Sequence, residues 1–247
     1  MSELNNSVIK AMKILELFKD NELLTIATIS DKTSYSKSAI NRILTSFESL
    51  GYLTKNMEQY RLSNKLYYLG MSTNVINNLV EMAKPYIEKL ANNVKLTVSL
   101  SIMEDYKAVI IYQRQSNKIM NVTPPLGNKS GLNCTASGKV LVAFSKDPEG
   151  IIEVMDFDQR TPNTIMSKKD FRQVIKQAQK NGYAYEDEEI ELGLYCLAVP
   201  IVDNNGHIIC SISVSGYRKY VLENDEETKA ELLKCAKEIS EAITQYN

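Results

Sequence analysis

Two stretches of the chain carry residues suited to holding a small polar ligand: "NCTASGK" at 133–139 and "HIICSISVSG" at 207–216. In the first, Thr135 is placed to cap a helix, and the small residues behind it leave the backbone N–H groups of Ala136, Ser137 and Gly138 sterically open. A helix N-terminus of that composition can hold a carboxylate. The same residues also suit a plain capped helix packed closely through Gly138. In the second stretch, the two-residue period of a strand puts Ile208, Cys210, Ile212 and Val214 on one face and Ser211, Ser213 and Ser215 on the other. Such a row of hydroxyls can simply face water. Facing a cavity, it supplies donors and acceptors for a polar ligand.

A third stretch, "SYSKSAINRILTSFESLGYL" at 34–53, has a different chemistry. Its apolar residues Ile40, Ile43, Leu44, Phe47 and Leu50 fall on one stripe of a helix. The opposite face presents Ser38, Asn41, Arg42, Thr45 and Ser49, short hydrogen-bonding side chains with one guanidinium. The surrounding elements explain such a face. Val8, Ala11, Met12, Leu15 and Phe18 predict an amphipathic helix over 6–19. Thr25 predicts the N-cap of a short helix over 26–33, with Ile26 and Ile29 inward. Residues 33–35 form the turn before the third helix, and Gly51 follows its last apolar position, where a C′ glycine belongs. Two β-like runs around Asn56, Met57 and Glu58 then predict a hairpin. Three helices and a hairpin are the order of a winged helix-turn-helix, whose third helix enters the major groove of DNA. Asn41 suits adenine, and Arg42 suits guanine or a phosphate. Ser36, Lys37 and Ser38 are placed for phosphates at the helix start. Thr45 extends that face, and the wing residues Lys55, Gln59 and Arg61 can reach the backbone or the minor groove.

Beyond the hairpin the pattern is helical from 64 to about 92 and is interrupted at Pro85, which predicts one connecting helix and a second beginning near the proline. The polar, uncharged stretch 71–78 marks the domain boundary, dividing the chain into 1–75, ending in a linker helix at about 64–80, and 76–247. Strands are expected in "KLTVSLSIM" and "KAVIIYQRQ", followed by a Pro- and Gly-rich loop, "TPPLGNKSGLN". Helices are expected over 135–145, 167–180 and 225–246, and strands near 183–186, 195–202 and 207–215. The mixture predicts an α+β domain with an antiparallel sheet.

The totals narrow the possible functions. A net charge of −1 over 247 residues excludes a protein coated in nucleic acid, so DNA contact must come from a local patch. Residues 1–75 carry nine Lys and Arg against seven Asp and Glu, a local net of +2. The four cysteines, Cys134, Cys196, Cys210 and Cys235, form no CxxC pair, and the single His207 completes no zinc set of normal spacing. Neither a metal site nor a cofactor is expected. The N-terminal residues lack the apolar core of a signal peptide, and no apolar run approaches the roughly 20 residues that span a bilayer. A cytoplasmic protein with reduced thiols and no membrane partner is therefore expected. Thiol redox catalysis needs an attacking thiolate and a resolving partner, and the placement of these cysteines supplies neither. The acids Asp187, Glu188 and Glu189 are adjacent, so they cannot all face one substrate, and a solvated or helix-start role is expected. His207, beside the turn "DNNG", is expected to be exposed.

The segments "SVIKAMKILELF", "KSAINRILTSFESLGYL" and "YRLSNKLYYLG" resemble the winged helix of the IclR family of bacterial transcription regulators. "GLNCTASGKVLVAF", "TPNTI", "NGYAYEDEEIELGLYCLAVPIVDNNG" and "SISVSGY" resemble, in order, that family's GAF-like effector-binding domain. Ala39 stands where the family commonly has Thr, and Ser63 where it commonly has Gly. The resemblance implies a homo-oligomer, a dimer or dimer of dimers, that binds palindromic double-stranded operator DNA and responds to a small organic acid. It also implies a ligand site. Ala136 and Ser137 would hold the carboxylate through their backbone, with Glu186, Cys196, Ser213 and Ser215 around the ligand and Ile119 and Val122 as apolar walls. Relatives often carry Asp where this chain has Glu186, one methylene longer. The alternative is a sensor or enzyme whose first domain binds protein.

Overall fold

A computed structural model describes residues 4–19, 21–71, 74–115 and 125–246. The chain divides into two compact units, Met1–Asn74 and Val75–Asn247.

In the first unit, α1 (Asn6–Glu16) starts at Asn5, whose side-chain oxygen accepts from the N–H groups of Ser7 and Val8. A 3-10 turn, Leu17–Lys19, follows. The helix α2 (Ile26–Thr33) opens with a reciprocal capping box between Thr25 and Thr28 and ends on Ser34 in the left-handed region, φ 59°. Ser36 then caps α3 (Lys37–Ser49) by accepting from the Ala39 N–H at 3.3 Å. The chain turns at Gly51, φ 76°, into the hairpin β1 (Leu53–Asn56) and β2 (Gln59–Leu62), with Leu53 opposite Leu62 and Asn56 opposite Gln59. Leu24 and Tyr60 exchange two backbone hydrogen bonds, of 3.0 and 2.8 Å, which tie the segment before α2 to the hairpin. Ile14, Phe18, Ile29, Ile40, Leu44, Leu53 and Tyr60 form the buried core between these elements.

The inward face of α1 differs from its predicted stripe. Ile14 and Phe18 are buried, whereas Val8 and Met12 are exposed. Phe18 is buried as its place in the stripe predicts, although it lies on the 3-10 turn; Ile14 rather than Val8 and Met12 supplies the rest of the inward face. Leu50 is likewise exposed, because α3 has ended before it.

The connection out of the hairpin is fastened by Ser63. Its hydroxyl donates to the Gly51 carbonyl and accepts from the Lys65 N–H at the start of α4 (Asn64–Met71). Lys65 also reaches back, its ammonium donating to the Leu50 carbonyl at 2.8 Å beneath the Tyr52 ring.

The second unit is built on one six-stranded antiparallel sheet. Its strands are β3 (Thr97–Glu104), β4 (Lys107–Arg114), β5 (Lys129–Gly131), β6 (Ala184–Asp187), β7 (Leu194–Val202) and β8 (Ile208–Tyr217), in the order β5-β4-β3-β8-β7-β6. On one face, α5 (Asn74–Val94) and α10 (Asp225–Tyr246) bury Ile87, Leu90, Leu232 and Ile239 against Leu100, Val199, Ile212 and Val214. On the other lie α6 (Ala136–Ala143), α7 (Pro148–Val154) and α8 (Lys168–Asn181), packed through Val140, Ile152, Phe171 and Ile175. A short α9 (Arg218–Glu223) follows β8.

Pro85 does not begin a new helix. It lies inside α5 and is exposed, so the carbonyl four residues earlier, freed of its helical donor, can turn to water. Burial of Ala83, Ile87 and Leu90 on the opposite side holds the helix through it. Part of the expected Pro- and Gly-rich loop is the strand β5, whose three residues pair with β4. The short α7, opened by the Asp147 cap and Pro148, and α9 were not legible as periodic runs.

Candidate functional site

On the first unit, Ser36, Lys37, Ser38, Asn41, Arg42 and Thr45 are all exposed along the first two turns and the outer face of α3, opposite the buried Ile40 and Leu44. The amphipathic pattern of the helix dictates that face. Ser36 divides its role, because its oxygen accepts the capping bond and lies 3.2 Å from the Ser38 hydroxyl. Ser46 and Ser49 bond back to the helix's own carbonyls, those of Arg42 and Ser46. The hairpin adds two exposed cations. Arg61 donates to its cross-strand partner Thr54 at 3.1 Å, and the Lys55 ammonium sits 5.3 Å from the centroid of the buried Tyr60 ring. These contacts fix the stems and leave both charges at the surface.

The second unit contains a cavity of about 480 Å³ between the sheet and the N-terminus of α6. Strand pairing builds its floor in two rungs. Ser99 on β3 lies opposite Ser213 on β8, with Gln113 on the other side of Ser99. The next rung runs Ser215, Cys196, Glu186 across β8, β7 and β6. Ser101, one period along β3, also lines the cavity, whereas Ser211 opposite it is fully buried outside the lining. A register shift between Leu100 and Ser101 lets Ile110 and Gln113, three residues apart on β4, face the same space.

At the roof, the Thr135 hydroxyl accepts from the Gly138 N–H at 3.0 Å and donates to the Gly131 carbonyl at 3.0 Å. The cap thus uses the Gly138 donor and leaves those of Ala136 and Ser137 at the open end of the helix. Close packing at Gly138 is real as well, since a Cβ there would lie 2.6 Å from both the Cα and the carbonyl oxygen of Leu132. The helix is both tightly packed and open at its N-terminus.

Glu186 is the unusual group. It is fully buried, and its Oε1 accepts from the backbone N–H groups of Glu189 and Ile190, at 2.6 and 3.1 Å. Its Oε2 has no partner among the described residues. Burial pushes its carboxyl up to about 7, against the pull of the two backbone donors and the Cys196 thiol. The Cys196 thiol is pushed well up by burial and by the Glu186 charge. Burial likewise raises Cys134, Cys210 and Cys235, so the described thiols are held protonated and chemically quiet.

The acidic run 187–189 departs from the solvated or helix-start role expected for it, since it ends β6 and no helix follows it directly. Glu189 is buried and ion-paired with the Lys139 ammonium, itself only 1% exposed, which also donates to the Tyr185 carbonyl at 2.9 Å. Thr161 and Thr164 donate to the carbonyls of Glu188 and Glu189. Asp187 pairs with Arg218, and Glu188 accepts from the Gly193 N–H. The run is a structural clasp, and adjacency concealed it because a bend at Glu188, φ 58°, sends the three side chains to three different partners. His207 is exposed beside Asp203, as its turn implies.

Of the expected ligand positions, Ala136, Ser137, Glu186, Cys196, Ser213 and Ser215 come together around this one cavity. Ile119 and Val122 lie outside the described residues. Ser99, Ser101, Gln113, Asn128 and Ser130 line the cavity without having been singled out. The alternation in "TVSLS", a mirror of "SISVS", was the available signal for the two serines.

Residues 7–56 match the IclR helix-turn-helix domain, and residues 72–241 match the bacterial transcriptional regulator IclR C-terminal domain. The chain belongs to the IclR family. The HTH-type transcriptional regulator KdgR of Escherichia coli K12 is 30% identical over 214 residues, covering 85% of this chain and 81% of that protein. The crystal structure of Thermotoga maritima IclR is similar with a TM-score of 0.78 at 27% identity, covering 96% of this chain and 98% of that one. An IclR homolog from Microbacterium hydrocarbonoxydans, complexed with 4-hydroxybenzoate, shares the fold with a TM-score of 0.85 at 20% identity, over 96% of this chain and 98% of its own. The protein is therefore a ligand-responsive, DNA-binding transcription regulator and not an enzyme, with a winged helix-turn-helix followed by a GAF-like α+β effector-binding domain. Among the described residues no helix is long and apolar enough to cross a membrane.

Proposed function

We propose that this IclR-family regulator works in the cytoplasm as a dimer or dimer of dimers, binds a palindromic operator, and is switched by a small organic acid. The DNA-binding domain occupies 1–75 and the effector domain 76–247, with a linker helix near 64–80. In this reading α3 lies in the major groove. Ser38, Asn41, Arg42 and Thr45 face base edges, Ser36 and Lys37 face phosphates, and Lys55 and Arg61 hold the flanking backbone. A palindrome requires two such helices related by a twofold axis, hence the homo-oligomer.

One observation carries the effector assignment: the open N-terminus of α6 and the unpartnered Glu186 Oε2 belong to the same cavity, which the serine rungs floor. The backbone N–H groups of Ala136 and Ser137 receive the carboxylate, and Glu186, Cys196, Ser213 and Ser215 receive the rest of the ligand. The 4-hydroxybenzoate bound by a structural neighbour is itself a small organic acid. Ligand binding favours one arrangement of the paired domains, and the linker helices convert it into a spacing of recognition helices that fits or misfits the operator.

The test begins by selecting an operator from random duplex DNA and an effector from a panel of organic acids. The double variant Ser213→Ala, Ser215→Ala is expected to lose effector affinity while its operator affinity stays that of the parent. Unchanged effector affinity in that variant refutes the pocket assignment.

A further inference from the structure

We propose that Lys10, on α1, is a phosphate contact of the DNA interface, held beside the start of α3 by the ring of Tyr35. The inference rests on the placement of α3 in the major groove, and it adds α1 to an interface otherwise made of the α3 face and the wing.

Tyr35 is fixed by the turn between α2 and α3. Ser34 adopts φ 59° there, the Tyr35 N–H donates to the Thr33 hydroxyl at 3.3 Å, and the Tyr35 carbonyl accepts from the Ser30 hydroxyl at 3.0 Å. Its half-buried ring packs against the core of the first unit, and the next residue is Ser36, the cap of α3. The Lys10 ammonium sits 5.5 Å from the centroid of that ring. On α1, Lys10 stands one turn before the buried Ile14 and roughly 160° round the helix from the exposed Val8 and Met12. Lys10 is itself exposed, so its stem is steadied on the turn while its charge stays in solvent.

The manner of holding points to an anion. In the second unit cations are taken up by carboxylates, as Lys107 is by Asp158, Arg114 by Glu88 and Arg172 by Glu149 and Glu153. Lys10 is held on a neutral ring instead, as Lys55 is over Tyr60, and Arg61 is held on the Thr54 hydroxyl. A neutral support orients a cation without cancelling its charge, so the charge remains available to a phosphate. Because the N-terminal residues of a recognition helix enter the groove, the turn that precedes it passes the sugar–phosphate backbone. Lys55 and Arg61 lie on the hairpin that follows the other end of α3. Lys10 and the wing therefore grip phosphates at the two ends of the recognition helix and fix its tilt without reading sequence.

The experiment measures binding of the full-length protein to its selected operator and to a random-sequence duplex of the same length, by fluorescence anisotropy of labelled DNA from about 50 to 200 mM salt. Lys10→Met keeps an apolar stem and removes the charge. It is expected to weaken both duplexes by a similar factor, with the salt slope lower by about 1 for each bound protomer, so that the parent-to-variant affinity ratio shrinks about threefold per protomer across that range. Lys10→Arg should restore both affinities, and Lys84→Met, which removes an exposed charge from α5, should change neither. Tyr35→Leu should weaken binding in the parent and add little in the Lys10→Met background; fully additive losses would remove Tyr35 from the arrangement. If Lys10→Met keeps the parent's affinity and slope while Arg42→Ala loses affinity, α3 stays in the groove and the Lys10 contact is refuted. If neither variant changes affinity or slope, the placement of α3 falls with it. A loss confined to the operator refutes the phosphate assignment.

Discussion

Replacing Glu186 with Gln should make the protein's stability less dependent on pH and should stabilise it above neutrality. In the folded chain burial lifts the Glu186 carboxyl from 4.5 to about 7. Its folded pKa is raised, so between those values the unfolded chain has released the proton and the folded chain still holds it. Stability from this group is therefore lost as pH rises through that window, and above 7 the cost levels off. Integrating the two titrations, the native protein loses roughly 2–3 kcal/mol from this group between pH 5 and pH 8. Glu189, Cys196 and the Lys139 ammonium behind Glu189 are the ionisable groups around it, and Gln leaves all three in place. A Gln amide oxygen can keep both backbone bonds that Oε1 now accepts. The variant should match the parent within about 1 kcal/mol at pH 5 and exceed it by about 2–3 kcal/mol at pH 8. Urea unfolding followed by far-ultraviolet circular dichroism at matched protein concentration reads the difference, the chain having no Trp to report by fluorescence. Parallel stability curves for the two proteins from pH 5 to 8 would refute the buried, proton-retaining carboxyl.

Other substitutions test the remaining parts. Arg42→Ala should weaken operator binding about tenfold or more; a loss shared by all sequences with a salt slope lower by about 1 marks a phosphate contact, and a loss confined to one base pair marks a base contact. Unchanged affinity and slope would remove α3 from the groove. Lys139→Met should cost about 3–5 kcal/mol in urea unfolding near neutral pH, because it strands the buried Glu189 carboxylate, and a cost below about 1 would contradict the clasp. Gly138→Ala should cost about 1–3 kcal/mol, since the added carbon meets the Leu132 backbone and the capping Thr135 hydroxyl. A neutral result in unfolding would mean that α6 can shift freely.

Local chemistry was legible in the chain itself. Thr25, Ser36, Thr135 and Ser167 announce helix starts because a capping oxygen acts on backbone two or three residues away. Ile40 and Leu44 announce the buried face of α3, and so its exposed polar side, because 3.6-residue periodicity is a property of sequence. What depended on partners distant in the chain was not legible. Pro85 reads as a break until the helix around it is seen packed, with the proline on the wet side. Glu189 reads as solvated until Lys139, fifty residues earlier, is found beneath it. The cavity joins strands from residues 99–113 and 186–215 to a helix beginning at 136, and a register shift at Ser101 decides which side chains of β4 enter it. The sequence by itself determined most of the elements, the caps at Thr25 and Thr135 and the serine faces, since those follow from neighbours along the backbone. Only the tertiary structure decided that the serine faces meet a helix N-terminus around a buried, proton-holding Glu186, because desolvation and strand register arise only when remote segments pack together.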